Sequence, residues 1–164
     1  MSRVTAMSAE GRAWLKALEG CSLDAYRDTV GVWTIGYGNT SWPNGKPVRE
    51  GEKLADRYQA NRLFDRALAP RERLLVSWLR RDDLEQHQFD ALCSWLWNTG
   101  GGKGRESGLL VAVNARAGLD VIAKRFREWR RPAEIWGRRE AEVLAYTRGL
   151  YVDQGEAMRR VKEL

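Results

Sequence analysis

A helical pattern that stops at a glycine and leads directly into a hairpin pattern constrains the fold of this chain most strongly. Ser8 is a residue type that favours helix N-caps, and apolar residues then recur at helical spacing, at Trp14, Leu15 and Leu18. Gly20 predicts the end of this helix, because glycine readily adopts the left-handed conformation that terminates helices. We therefore predict a first helix over about residues 8–19, with Glu19 in its last turn.

The segment after this helix predicts two short strands joined by a turn. Val30-Gly31 is typical of a turn, and the strand before it ends near Asp28. The strand after it, residues 32–37, alternates so that Thr34 lies on the face opposite Trp33, Ile35 and Tyr37. Asp28 and Thr34 are therefore expected to flank one hairpin that closely follows Glu19.

Glu19 and Asp28 are the residue types that cleavage of a glycosidic bond requires. One acid protonates the leaving oxygen, and a second carboxylate acts on the other side of the sugar ring, as nucleophile or as base on water. A carboxyl group at the C-terminal end of a helix meets the negative end of the helix dipole, which suits a proton donor. An isolated pair of this kind is more often a solvated charge and a turn residue, so the surrounding residues decide the interpretation.

Those surrounding residues form a specific pattern. Near the two acids the strings are Glu19-Gly20, Ala25-Tyr26-Arg27-Asp28, Gly31 and Trp33-Thr34-Ile35-Gly36-Tyr37-Gly38. Further along they are Gln88-Phe89-Asp90-Ala91-Leu92-Cys93-Ser94, Asn98-Thr99-Gly100, Phe126, Trp129, Arg138-Arg139 and Glu142. In order and spacing, from about residue 11 to residue 146, this pattern resembles the phage-type lysozymes, the endolysin muramidases in the glycosidase family of phage T4 lysozyme.

The resemblance implies a function and three catalytic residues. It implies a peptidoglycan hydrolase that cleaves the β-1,4 bond between N-acetylmuramic acid and N-acetylglucosamine and so lyses bacteria. It implies that Glu19 is the acid, that Asp28 is the second carboxylate, and that Thr34 helps to position water. A water-positioning Thr34 favours inversion at the anomeric carbon.

Three further residues are candidates for substrate contact: Thr40, Trp97 and Ser107. Thr40 closely follows the hairpin, and Trp97 precedes Asn98 at the end of the predicted central helix, where the resemblance implies that the larger lobe meets the cleft. Ser107 is also expected to cap a short helix. Most of the eight tryptophans are expected in the core, because a buried indole contributes mainly apolar burial.

The fold class expected is α+β and mostly α-helical, a lysozyme-like two-lobed fold with a small antiparallel β-sheet in the N-terminal lobe. The 164 residues suit a single catalytic domain. Its β-containing lobe is expected at about residues 20–65, and its helical lobe at about 70–164 together with the first helix.

The helical part carries several local predictions. A helix is expected over about residues 52–68, and Pro70 either kinks a longer helix or starts a new one. Asp83 with Gln86 predicts a capping box for the central helix. The last helix is expected near residues 138–148.

Charge and residue counts limit the partners and cofactors. The formal net charge of +6 favours anionic partners such as the bacterial wall. Acids interleave with the bases, as in residues 80–83, which argues against a nucleic-acid-binding protein. One histidine and two cysteines, Cys21 and Cys93, offer neither a metal-binding cluster nor a credible Cys-His pair, so we expect no metal and no cofactor. Cys93 is expected to be a small buried hydrophobe.

Location and the alternatives complete the interpretation. Because no apolar run is long enough for a signal peptide or a membrane span, we expect synthesis in soluble form in the bacterial host cytoplasm and no stable membrane insertion. A separate membrane-permeabilising protein would then be needed to reach the wall. We also expect a monomer. Two alternatives stay open: a lytic transglycosylase, and a non-catalytic basic protein that binds the wall or disturbs membranes.

Overall fold

The computed structural model describes residues 3–101 and 104–162, and these are mostly helical with one small sheet. In chain order the elements are α1 Ala9–Glu19, β1 Ser22–Arg27, β2 Trp33–Gly36, α2 Arg57–Trp78, α3 Gln86–Thr99, α4 Gly108–Asn114, α5 Leu119–Arg127, α6 Trp136–Arg148 and α7 Gln154–Lys162. Short 3₁₀ turns lie at Gly104–Glu106 and Ala133–Ile135. Strands β1 and β2 are antiparallel neighbours, so the expected fold class is confirmed.

The chain divides into two compact units. One is Glu19–Pro70, called the hairpin unit below, and the other combines Met1–Leu18 with Arg71–Leu164, called the helical unit. Among the described residues, no helix has both the length and the apolar character that crossing a membrane requires.

Helix α1 begins and ends where its sequence predicts. The Ser8 hydroxyl accepts a hydrogen bond from the amide of Gly11 at 2.8 Å, which is the bond expected of an N-cap. At the other end Gly20 has a φ of 68°, the left-handed conformation that stops a helix without a steric cost at glycine. The helix therefore delivers Glu19 as its last residue.

The hairpin unit is built on β1 and β2. Tyr26 pairs with Thr34 and Arg27 with Trp33, and the register is irregular between Ser22 and Tyr26. Behind this sheet, buried Tyr37 makes an edge-on contact with Phe64, with ring centroids 5.6 Å apart.

Helix α2 differs from the predicted helix at both ends. It begins at Arg57 rather than near residue 52, and it continues through Pro70 to Trp78. The alternative of a new helix starting at Pro70 is therefore wrong. Proline removes one backbone hydrogen bond from a helix, but fully buried Leu68 and Leu75 anchor the helix on both sides of it.

Helix α3 is the core helix of the helical unit, as expected, because every residue from Phe89 to Trp97 is buried. Its capping box is formed by Glu85 and Gln88, so the predicted box of Asp83 and Gln86 is wrong. The Asp83 carboxylate instead forms ion pairs with two arginines, one of them Arg81 at 2.7 Å.

The C-terminal end of the chain carries one helix more than expected. Helix α6 agrees with the predicted helix near residues 138–148, but α7 follows it and packs against it, so the prediction of a last helix at that position is wrong. Only Ala157 of α7 is buried. So small an apolar face leaves little helical periodicity for sequence reasoning to detect.

Helices α3 and α6 enclose a group of buried charges. Glu142 Oε1 accepts hydrogen bonds from Ser94 Oγ at 2.7 Å, Arg139 Nη2 at 3.0 Å and Arg138 Nε at 3.1 Å. All four side chains are at most 5% exposed. Breaking such a pair leaves an uncompensated buried charge, so this cluster ties the two helices together.

Candidate active site

Glu19 occupies a junction between two kinds of backbone. It is half-buried and ends α1, and Gly20 then turns the chain into β1. Because helical hydrogen bonds fix the backbone on one side and the left-handed glycine on the other, the carboxyl group starts from a defined position.

Asp28 is held by the turn of the hairpin. Its Oδ1 atom accepts hydrogen bonds from the amides of Val30 at 3.0 Å and Val32 at 2.8 Å. The main chain closes the same turn, since the Gly31 amide donates to the Asp28 carbonyl at 3.0 Å with Gly31 at a φ of 84°. One carboxylate oxygen is thus used by the backbone. Among the described residues, no backbone or side-chain group donates a hydrogen bond to the other oxygen, Oδ2.

Thr34 lies on β2 and is only 3% exposed. Its hydroxyl donates to the carbonyl of Val32 at 3.1 Å. Since a hydroxyl has one proton and two lone pairs, this bond fixes the proton and leaves the oxygen as an acceptor.

Tyr26 links the two acids. Burial raises the pKa of its phenol, and the negative charges of Glu19 and of Asp28 raise it further. Both carboxylates therefore lie close enough to Tyr26 to act on it electrostatically. The sequence reasoning did not choose Tyr26 as a site residue, although its place in the Ala25-Tyr26-Arg27-Asp28 string was a usable signal.

The structure brings Glu19, Asp28, Thr34 and Tyr26 together in the hairpin unit. Two carboxyl groups, a hydroxyl acceptor and a phenol provide the groups for acid and base work on a sugar substrate. In the part of the chain that the structure describes, histidine, cysteine and acidic side chains form no cluster of three or more that could hold a metal ion.

The three predicted substrate contacts occupy different settings. Thr40 is exposed in the hairpin unit, and its carbonyl accepts a hydrogen bond from the Val48 amide at 2.9 Å. Trp97, in the helical unit, is 8% exposed with the Arg71 guanidinium 4.7 Å from its ring centroid. Both stay predictions.

Ser107 has a structural role that its burial explains. It is 2% exposed, and its hydroxyl accepts the amide of Leu110 at 3.2 Å as the N-cap of α4. The predicted cap is therefore present. That Ser107 contacts the substrate stays a prediction. Its burial and its capping bond do not favour such a contact.

The two cysteines are both free, and Cys93 is fully buried as expected. Burial raises the pKa of its thiol well above the ordinary value, so Cys93 behaves as an apolar side chain. His87 Nδ1 lies 2.8 Å from the carbonyl of Ala145, far along the chain from Cys21.

The fold places the chain among the glycoside hydrolases of lysozyme type. The sequence pattern of the phage lysozyme family matches residues 16–145, which is most of the chain. The chain therefore belongs to the phage lysozyme family, and the resemblance seen in the sequence is confirmed.

Individual relatives agree with this assignment. The endolysin of Salmonella phage P22 is 33% identical over 125 residues, which are 76% of this chain and 84% of that protein. The endolysin from Escherichia coli O157:H7 phage FAHEc1 superimposes with a TM-score of 0.83 at 25% identity, covering 93% of this chain and 99% of the other. The muramidase domain of SpmX from Asticaccaulis excentricus gives a TM-score of 0.76 at 26% identity, covering 88% of this chain and 99% of the other. The chain is an enzyme of the lysozyme class, as expected.

Proposed function

We propose that this protein hydrolyses bacterial peptidoglycan at the β-1,4 bond between N-acetylmuramic acid and N-acetylglucosamine, and so lyses cells. The observation that carries the proposal is that Glu19, the last residue of α1, and Asp28, held by two backbone amides of the hairpin turn, belong to one compact unit and both act on the phenol of Tyr26. A pair of acids near one another is what glycosidase chemistry requires. Membership of the phage lysozyme family supports the same activity.

The proposed reaction assigns a separate task to each acid. Glu19 gives its proton to the glycosidic oxygen as the bond from that oxygen to the anomeric carbon breaks. A water molecule forms the new bond to the anomeric carbon and loses a proton to Asp28. The Thr34 oxygen accepts a hydrogen bond from this water, which is consistent with its own proton being donated to Val32.

The hydrogen bonds of Asp28 suit the role of base. Oδ1 is held by two backbone amides, so the carboxylate cannot rotate freely, and Oδ2 is the oxygen that takes the proton. Attack by water on the face opposite the leaving group inverts the anomeric carbon. This mechanism predicts carboxyl groups about 6.5 to 9.5 Å apart rather than about 5 Å.

The proposed route to the wall is supported by the charge of the protein. We propose a monomer made in the host cytoplasm that reaches the wall with the help of a separate membrane-permeabilising protein. Its net charge of +6 steers it towards anionic envelope polymers. Nucleic acid is not a proposed partner.

The test compares the parent with Glu19→Gln and with a control, Glu50→Gln, which removes an exposed carboxylate from the same unit. Purified peptidoglycan is digested, and the soluble fragments are identified by mass spectrometry. The parent and Glu50→Gln are expected to release muramic acid reducing ends. Glu19→Gln is expected to be slower by a factor of about 10² to 10⁴, the usual contribution of a general acid.

The same fragments separate the alternatives. Anhydro-muramic products would contradict hydrolysis and indicate a lytic transglycosylase. Lysis by Glu19→Gln at the parent rate would contradict the catalytic assignment and indicate a membrane-active protein. NMR of the first anomer released tests inversion, and a retained anomer would overturn the role of Asp28 as base.

A further inference from the structure

A pocket in the hairpin unit is formed by residues that the proposed reaction does not use. Its volume is about 310 Å³, and the residues that shape it include Trp42, Leu54, Tyr58, Arg62, Leu63 and Arg66. Ligand pockets in proteins typically measure about 300 to 1,000 Å³, so the cavity has room for one small group such as a sugar ring.

One aromatic wall of this pocket is rigid. The Trp42 indole donates to Glu52 Oε2 at 2.7 Å, and the same carboxylate oxygen accepts the Arg49 amide at 2.8 Å. The Trp42 backbone amide also donates to the carbonyl of Lys46 at 2.8 Å. The indole is thus fixed before any ligand arrives, which reduces the entropy lost on binding.

A second aromatic ring, Tyr58, stands 68% exposed at the pocket. The guanidinium of Arg62 lies 5.9 Å from the centroid of this ring. Exposure of so large an aromatic surface beside an indole is typical of a binding face rather than of a core.

Two guanidinium groups supply positive charge. Arg62 and Arg66 are four residues apart on α2, so they are neighbours on one face of the helix. Among the described residues, neither one forms an ion pair with a carboxylate. A guanidinium presents a planar fork of donors that matches a carboxylate or a phosphate.

The floor of the pocket is apolar and firm. Leu54 and Leu63 are 4% and 5% exposed. Both lie within 3.7 Å of the position that a Cβ atom would take at Gly36, so they pack directly against the end of β2. The pocket therefore combines a fixed floor, aromatic walls and a cationic rim.

We propose that this pocket binds one sugar ring of a peptidoglycan strand, together with a carboxylate of the peptide attached to the same repeat, at a position separate from the bond that is cut. The sugar ring stacks on the Trp42 and Tyr58 faces, and a carboxylate of the attached peptide pairs with Arg62 and Arg66. A peptidoglycan strand carries a pyranose and a carboxylate in the same repeat, which matches both halves of the pocket. The choice of polymer rests on the proposed function.

The consequence is a second binding site for the wall polymer, outside the active site. A protein that holds one repeat while cleaving another stays on an insoluble substrate longer than its active site alone would allow, because the second contact has a high effective concentration. Cleavage of chains too short to reach both sites does not need the pocket.

The test uses Glu19→Gln to prevent cleavage and follows the Trp42 indole N–H signal by NMR. Titration with a soluble disaccharide-tripeptide is expected to shift this signal and to saturate. Adding Arg62→Gln and Arg66→Gln is expected to weaken this binding at least tenfold. The matched control, Arg73→Gln with Arg159→Gln, removes the same charge from two exposed arginines elsewhere and is expected to bind like the parent.

Several results would overturn the assignment. One is an unmoved Trp42 signal, and another is equal weakening by the control pair, which would indicate general charge attraction. If the disaccharide without its peptide bound equally tightly, the proposed pairing of a peptide carboxylate with Arg62 and Arg66 would be contradicted. A shift produced by inorganic phosphate but not by the disaccharide-tripeptide would indicate a phosphate polymer instead. Circular dichroism of each variant checks that it is folded.

Activity measurements keep this inference distinct from the proposed function. With Glu19 restored, the Arg62→Gln, Arg66→Gln protein is expected to cleave short soluble chains at the parent rate and to clear insoluble wall more slowly. If the variant cleared insoluble wall as fast as the parent, the second binding site would be contradicted, but the proposed function would not. A parent that releases no muramic acid reducing ends would contradict the proposed function, whatever the Trp42 titration shows.

Discussion

Two aspartates, Asp28 in the hairpin unit and Asp90 in the helical unit, show how differently the two parts of this protein use a carboxylate. Asp90 is fully buried and accepts four hydrogen bonds: from Ser8 N and Oγ, from Gln86 Nε2 and from Tyr151 OH. The Asp28 carboxylate accepts two hydrogen bonds, both from backbone amides and both at the same oxygen. A carboxylate with all its acceptor sites filled joins elements of the fold, whereas one with an oxygen left over can take part in a reaction.

The largest effect that tests this comparison is expected from Asp28→Asn. An asparagine keeps an oxygen for the Val30 and Val32 amides, so the turn is expected to survive. It cannot accept a proton as a carboxylate does, so peptidoglycan turnover is expected to fall by about 10² to 10⁴. Thermal unfolding measures the survival of the turn, and release of soluble fragments measures the fall in turnover. A loss of stability as large as that of Asp28→Ala would mean that the negative charge itself holds the turn.

In the helical unit the matching change is Gly11→Ala, which tests how tightly Asp90 is enclosed. A Cβ atom at Gly11 would collide with the Asp90 carboxylate. Crowding of a packed site typically costs about 1 to 3 kcal/mol, so we expect the free energy of unfolding to fall by about 3 kcal/mol.

The control for this change is Gly108→Ala, where the nearest atoms belong to the long side chains of Arg125 and Glu128, 3.4 Å or more away. Chemical denaturation of both variants compares them. Equal stability of Gly11→Ala and the parent would mean that the buried carboxylate can move, and the contrast with Asp28 would disappear.

A third test follows the buried phenol of Tyr146. Burial raises its pKa from 10.0 to about 12, and the residue is 1% exposed. Since the folded pKa is above the unfolded one, the stabilisation is complete below about pH 10 and is lost as the pH rises towards 12. Two pKa units correspond to at most about 3 kcal/mol.

Denaturation at pH 9 to 12 compares the parent with Tyr146→Phe. The variant is expected to lose less stability over this interval, because it has no phenol to ionise at that position. Identical slopes for the two proteins would show that the alkaline loss comes from other groups, such as Tyr151, whose pKa is raised by burial and by its bond to Asp90.

The smallest expected effect concerns Glu52 in the hairpin unit. Its bonds from the Trp42 indole and the Arg49 amide lower the pKa of its carboxyl group. The folded pKa is below the unfolded one, so this stabilisation is present above about pH 4.5 and is lost as the pH falls through the folded pKa. The Trp42 indole N–H signal is expected to shift in that acidic range and to stay constant in Glu52→Gln. If the Trp42 signal shifted equally in the parent and in Glu52→Gln, the titrating group would not be Glu52.

Sequence reasoning reached the features that depend on local rules. The end of α1 at Gly20 and the hairpin that presents Thr34 follow from helical spacing, glycine and alternation, all of which act over a few residues. The lysozyme family was also readable, because its pattern extends over most of the chain.

What sequence reasoning missed depends on contacts far along the chain. Continuation of α2 through Pro70 needs buried leucines on both sides, and α7 needs the surface of α6. The capping box is formed by Glu85 and Gln88, while the Asp83 carboxylate forms ion pairs with Arg81 and with Arg116, which is far along the chain. The string Ala25-Tyr26-Arg27-Asp28 already places Tyr26 close to Asp28, but its proximity to Glu19 as well depends on the folded chain.

The backbone hydrogen bonds that hold the Asp28 carboxylate also bear on which nearby residues can be substituted. The carboxylate is held by amides that every non-proline residue possesses, not by particular side chains. The exposed side chains at Thr29, Val30 and Val32 can therefore be exchanged without moving the Asp28 carboxylate. If Asp28 is the base of the proposed reaction, the tip sequence can vary without loss of that base, and a library of tip sequences offers a direct route to lysozymes adapted to different bacterial walls.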